Sequence, residues 1–195
     1  MTAPLPPTDL DSREPLLLEI PSGATLHRFY TAAYDPIFFD KSKLGRFNSP
    51  DGSFGVLYTA GNTAGAFAET FLRTPGRTLI DIDFMRRKAY VRLTVTRTLK
   101  LIRLAGPGLA RLGATAEVTH GGLPYDVPQA WSTALWKNPI EADGIAYYSR
   151  HDDDEICHGL FDRAERAIVE DAHETNLDQD WFWKMAEKYR VGVAP

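Results

Sequence analysis

Cysteine is almost missing from this chain: Cys157 is the single thiol in 195 residues. One thiol excludes an internal disulfide and a zinc site built on paired thiolates, and it gives no sign of an oxidising compartment. Basic residues are also in the minority, 22 Lys and Arg against 26 Asp and Glu, and they are scattered. A surface for nucleic-acid phosphates needs a clustered basic stripe, so that partner class is excluded. No stretch approaches the roughly 20 apolar residues of a membrane helix, and the opening residues 1–11 lack a basic and then apolar order. The expectation is a cytoplasmic protein without membrane contact.

The familiar local signatures of chemistry are missing too. His27, His120, His151, His158 and His173 fall in no metal-ligand spacing, and no HExxH pattern occurs, so no metal is predicted. There is no GxGxxG after a strand, no Walker loop and no GxSxG elbow. Cys157 adjoins His158, but neighbours on a strand point to opposite faces, which predicts a buried structural thiol.

What is present is an ordinary globular mixture, 44% hydrophobic and 25% charged, of a length that suits one domain. Residues 1–22 carry Pro4, Pro6, Pro7, Pro15 and Pro21 and read as a flexible arm, because each proline removes a backbone donor. Residues 23–195 form the expected folded unit. Short apolar or alternating runs predict strands at 54–60, 79–84, 90–96, 99–104, 144–149, 156–161 and 166–169. A helix follows Asn62-Thr63, with Ala64, Phe67, Ala68, Phe71 and Leu72 on its core stripe. Asp126 caps a second helix, a third spans 180–189, and glycines at 106, 108, 121 and 122 mark a looser region. Strands and helices mix without regular alternation, which predicts an α+β fold: one compact domain of mixed or antiparallel sheets with flanking helices.

Three polar residues stand in suggestive settings: Arg46 after Gly45, Glu69 on the flank of the first helix, and Ser149 at a strand end. Arg28 and Arg46 beside one cleft match the oxygens of a pyrophosphate, with Asn48 and Ser149 adding neutral hydrogen bonds. The alternative is that each arginine pairs with a surface carboxylate. Tyr58 and Glu69 can share a rim, where an aromatic face and an acid suit a cationic ring and its ribose; the alternatives are a core tyrosine and an exposed Glu69–Arg73 pair. The acidic run 152–155 reads as a solvated loop.

The segments Leu26-His27-Arg28-Phe29-Tyr30, Gly45-Arg46-Phe47-Asn48, Val56 to Ala60, Ala64 to Glu69 and Asp143-Gly144-Ile145 with Ser149-Arg150 resemble, in order and spacing, the RES-domain family of toxins. The match is clearest over 27–161. The resemblance implies a fold related to the diphtheria-toxin-type ADP-ribosyltransferases and an enzyme that consumes NAD. It makes Arg46, Glu69 and Tyr58 the catalytic candidates, and Arg28, Asn48 and Ser149 further NAD-binding residues. It also implies neutralisation by a cognate Xre-type antitoxin in a hetero-oligomer. The acceptor of ADP-ribose stays open: water, inorganic phosphate as a co-substrate, or a protein side chain. A non-catalytic partner-binding module is the reading from another class. The family pattern assigns no role to His27, the arm or the tail.

Overall fold

The computed structural model describes residues 3–194 apart from Pro75 and Arg77. A 3-10 turn (Leu10–Ser12) leads into strands β1 (Leu17–Ile20), β2 (Thr25–Thr31) and β3 (Val56–Ala60), then helix α1 (Thr63–Phe71). Strand β4 (Leu79–Asp81), helix α2 (Ile82–Arg86) and strands β5 (Lys88–Val95) and β6 (Leu99–Arg103) follow. Helices α3 (Pro107–Leu112), α4 (Glu117–His120) and α5 (Asp126–Lys137) precede strands β7 (Gly144–Tyr148) and β8 (Ile156–Phe161). A second 3-10 segment (Asp162–Ala167), β9 (Ile168–Glu174), α6 (Asp180–Lys188) and β10 (Gly192–Ala194) complete the order.

Eight strands form one mixed sheet in the order β1-β6-β7-β8-β3-β2-β5-β9, in which the β6–β7 pair is parallel and the other pairs are antiparallel. β4 and β10 make a small parallel pair. The α+β expectation therefore holds. β5 shows why the sheet forms here: Ala89, Val91, Leu93 and Val95 alternate with more exposed neighbours and bury one apolar row. The two faces carry separate cores, one around Phe47, Phe67, Trp131 and Phe161, the other around Leu26, Leu57, Leu93 and Leu160.

One irregularity of the sheet positions everything that follows. β2 and β3 pair only at His27 and Ala60, whereas β2 pairs with β5 along seven positions. The two strands part beyond that point. Asp40 bridges to Val56 in place of β2, and the Arg28 guanidinium donates to the Tyr58 carbonyl at 3.1 Å, taking an acceptor that a strand would otherwise satisfy. A split sheet leaves a cleft between its two halves.

Several expectations need correction. Residues 3–22 are no flexible arm: Leu10 is buried, Trp131 donates to the Pro4 carbonyl at 2.7 Å, and β1 pairs with β6 over four residues. The proline-free stretch Leu16-Leu17-Leu18 supplies the edge strand, so the prolines bound it rather than prevent it. The strand at 79–84 stops at Asp81, whose carboxylate accepts from the Phe84 amide at 2.6 Å and caps α2. Asp126 begins α5 instead of capping it. The looser region holds α3 and α4, with Pro107 at the α3 start and left-handed Gly113 at its end. The acidic run is solvated only in its middle: Asp153 and Asp154 are exposed, whereas Tyr189 donates to Asp152 at 2.6 Å and Glu155 is buried between Asn62 and Lys188.

Candidate active site

The cleft opens into a cavity of about 620 Å³ lined by β2, β3, α1, the loop before β3 and the turn after β7. That volume falls in the usual range for a small-molecule site. Arg28, Arg46, Tyr58 and Glu69 line it; Asn48 and Ser149 are fully buried and act from behind the wall.

Glu69 reaches the cavity because α1 is fixed in rotation. The Asn62 side chain accepts from the Gly65 amide at 2.9 Å, and Phe67 and Ala68 are fully buried, so the helix flank carrying Glu69 faces the cleft. The alternative for Glu69, an ion pair with Arg73, is not formed among the described residues; Arg73 donates to the Glu69 backbone carbonyl at 2.8 Å. The carboxylate is held from elsewhere. Ser149 Oγ donates to Oε1 at 2.8 Å and the Arg150 amide donates to the same oxygen at 3.2 Å. Ser149 Oγ in turn accepts from the His151 amide at 3.2 Å, which fixes its hydroxyl toward Glu69. Among the described residues Oε2 has no hydrogen-bond partner, and Arg46 Nη2 stands 3.9 Å from it, beyond hydrogen-bond range. One carboxylate oxygen is thus immobilised, and the other keeps acceptor capacity.

Arg46 is almost buried, its Nη1 donates to the Thr119 carbonyl at 2.7 Å, and its guanidinium lies 5.7 and 5.8 Å from the Phe47 and Tyr147 ring centroids. Aromatic faces and one carboxylate compensate a charge that is largely withdrawn from water. Tyr58 works through its hydroxyl, which accepts from the Phe47 amide at 2.8 Å and donates to Asn48 Oδ1 at 2.9 Å. Burial pushes that phenol well above its ordinary pKa, so it stays a donor. Asn48 Nδ2 passes the chain on to Asp40 at 2.9 Å. Gly45 is required beside them, because a Cβ there would collide with the Asn48 side chain and come within 2.7 Å of the Tyr58 hydroxyl.

His27, whose role the sequence left open, joins Tyr90 at 2.6 Å and Thr63 at 3.2 Å on the cavity margin. Cys157 is buried and burial raises its thiol pKa, while His158 faces the other way, fully enclosed, with a pKa pushed down to about 4. Arg73, Lys88, Arg150 and His151 line the cavity without having been singled out. Only Arg150 carried a sequence signal, its place beside Ser149. Among the described residues no cluster of His, Cys, Asp or Glu could hold a metal, and no helix is long and apolar enough to cross a membrane.

The fold is shared with a toxin of known structure. The crystal structure of the M. tuberculosis MbcT–MbcA toxin–antitoxin complex superposes with a TM-score of 0.64 at 15% identity, covering 88% of this chain and 91% of that one. No curated protein matches the sequence. The RES domain model matches residues 23–183, a span that holds Arg28, Arg46, Glu69 and Ser149, and the chain belongs to the RES-domain family.

Proposed function

We propose that the protein is the toxin of a toxin–antitoxin pair and degrades NAD in the cytoplasm by cleaving its nicotinamide–ribose bond. The observation that carries this reading is the convergence of Arg46, Glu69 and Ser149, from segments 23 and 80 residues apart, on one carboxylate at the wall of a cavity of about 620 Å³. Three chain-distant polar groups held at 2.8 to 3.9 Å favour a charge-stabilising site over a structural knot, because Glu69 Oε2 is left unbonded among the described residues.

Breaking the C1′–N bond sends its electron pair to nicotinamide, which departs neutral, and leaves positive charge on the ribose. Glu69 is suited to orient the ribose hydroxyls through Oε2 and to stabilise that oxocarbenium-like state. Ser149 and the Arg150 amide position the carboxylate, and the Arg46 guanidinium stands 3.9 Å from its second oxygen. Tyr58, fixed through Asn48, offers its ring to the nicotinamide or ribose. The family and the shared fold with a toxin support the toxin role and a protein antitoxin, for which an Xre-type DNA-binding protein is our proposal.

Nicotinamide release from NAD by the purified protein tests the reading, run with and without inorganic phosphate. Release that needs phosphate marks a phosphorylase, release without it a glycohydrolase, and label retained on protein from labelled NAD marks an ADP-ribosyltransferase. No NAD consumption under any condition by a folded sample would refute it.

A further inference from the structure

The cavity is electrically unlike the chain that surrounds it. The whole protein carries a formal charge of −4, yet five basic side chains line this cavity, Arg28, Arg46, Arg73, Lys88 and Arg150, against two carboxylates, Asp40 and Glu69. Both carboxylates are already engaged. Asp40 accepts from Asn48 and from the Ser42 amide and hydroxyl, and Glu69 from Ser149 and Arg150.

The cations divide into two groups. Arg46 sits against Glu69, and Arg150 donates to the Gly121 carbonyl at 3.2 Å beside it. Arg28, Arg73 and Lys88 gather where β2 leaves β3, and among the described residues none of the three makes a salt bridge. Lys88 donates to Thr31 at 3.0 Å, Arg73 to a backbone carbonyl, and Arg28 has a buried Nε with no partner. Burial and the repulsion of Arg73 and Arg28 both push Lys88 below its ordinary pKa. Asp40 offsets Arg28 in part, but among the described residues it makes no salt bridge with it and is bonded to Asn48 and Ser42, so three like charges keep an excess that calls for an anion.

We propose that Arg28, Arg73 and Lys88 form the seat of a diphosphate, with Arg46 reserved for Glu69. The inference deepens the proposed function, and it rests on that function only for the natural ligand being a dinucleotide. Three separate cationic heads spread over one cavity wall match the several oxygens of a diphosphate better than the single centre of orthophosphate.

The test is calorimetric titration of the full chain with inorganic pyrophosphate, ADP and orthophosphate, which needs no turnover. Pyrophosphate and ADP are expected to bind, orthophosphate at least about tenfold more weakly. The double variant Arg73→Ala/Lys88→Ala is expected to lose at least about tenfold in affinity for both diphosphates, and Arg73→Lys/Lys88→Arg to keep most of it. Arg73 is exposed and Lys88 half-buried, so both variants should fold, with thermal melting as the control. Unchanged pyrophosphate affinity in the folded alanine variant, or orthophosphate binding as tightly as pyrophosphate, would overturn the seat. Diphosphate binding without nicotinamide release would instead preserve the seat and refute the NAD-cleaving reading.

Discussion

The two ends of the cavity solve opposite problems. At one end the charges compensate each other: Arg46 is stacked on aromatic rings and set against Glu69, and Glu69 is pinned by Ser149 and the Arg150 amide. At the other, Arg28, Arg73 and Lys88 face the same space with no carboxylate within salt-bridge reach among the described residues. The first end is finished in the free protein, which under the proposed function readies it to stabilise charge that appears during the reaction. The second is stable only in part until an anion arrives. A paired end should tolerate no loss, whereas the unpaired end should gain stability when it is disarmed.

The largest effect expected is on turnover. Glu69→Gln keeps an acceptor for Ser149 but removes the negative charge, and nicotinamide release should fall by about 10²- to 10³-fold in a sample that still unfolds cooperatively. Retained turnover would strip the paired end of its catalytic role. Next in size, Arg46→Met should lower unfolding free energy by about 3 kcal/mol in chemical denaturation, because it leaves a largely buried carboxylate without its cation. Ser149→Ala removes one hydrogen bond from Glu69 while the Arg150 amide remains, and about 1 kcal/mol of stability should go with it.

Lys88→Met should do the reverse and raise the melting temperature by about 1–2 °C at pH 7. Its pH dependence sharpens the contrast. The folded protein lowers the Lys88 pKa, so on raising pH the folded chain loses that proton before the unfolded chain does. Wild-type stability therefore rises relative to the variant toward the ordinary value of 10.5, and the advantage of Lys88→Met should shrink over that window. An advantage that grew with pH would mean that the ammonium is well compensated and that the two ends do not differ.

Much of the fold could be read along the chain because its causes are local. Alternation marked β5 and β8, and the Asn62 cap with the Phe67 stripe set both the start and the rotation of α1. The failures also have local causes that competed. Leu79 to Phe84 alternates like one strand, but Asp81 satisfies the Phe84 amide and turns the chain into a helix. Prolines hid β1, whose pairing with β6 lies some 80 residues away. The ends of the acidic run looked solvated because the lysine and tyrosine that bind them come from the end of α6 and its C-cap, Lys188 and Tyr189.

For the candidate site, residue types and their order were enough to name Arg28, Arg46, Tyr58, Glu69 and Ser149, and the family model spans all five. Their division of labour was not legible. Asn48 and Ser149 were read as contacts to a ligand, yet both are fully buried and hold Tyr58 and Glu69. Arg73 and Lys88 belong to no motif. By itself the sequence determined the elements, the family and the polar residues available, since hydrophobic period, caps and spaced motifs are properties of neighbours along the chain. Only the tertiary structure decided where β2 abandons β3, which charges meet a partner and which face an open cavity, because those outcomes depend on distances between segments that no local pattern encodes.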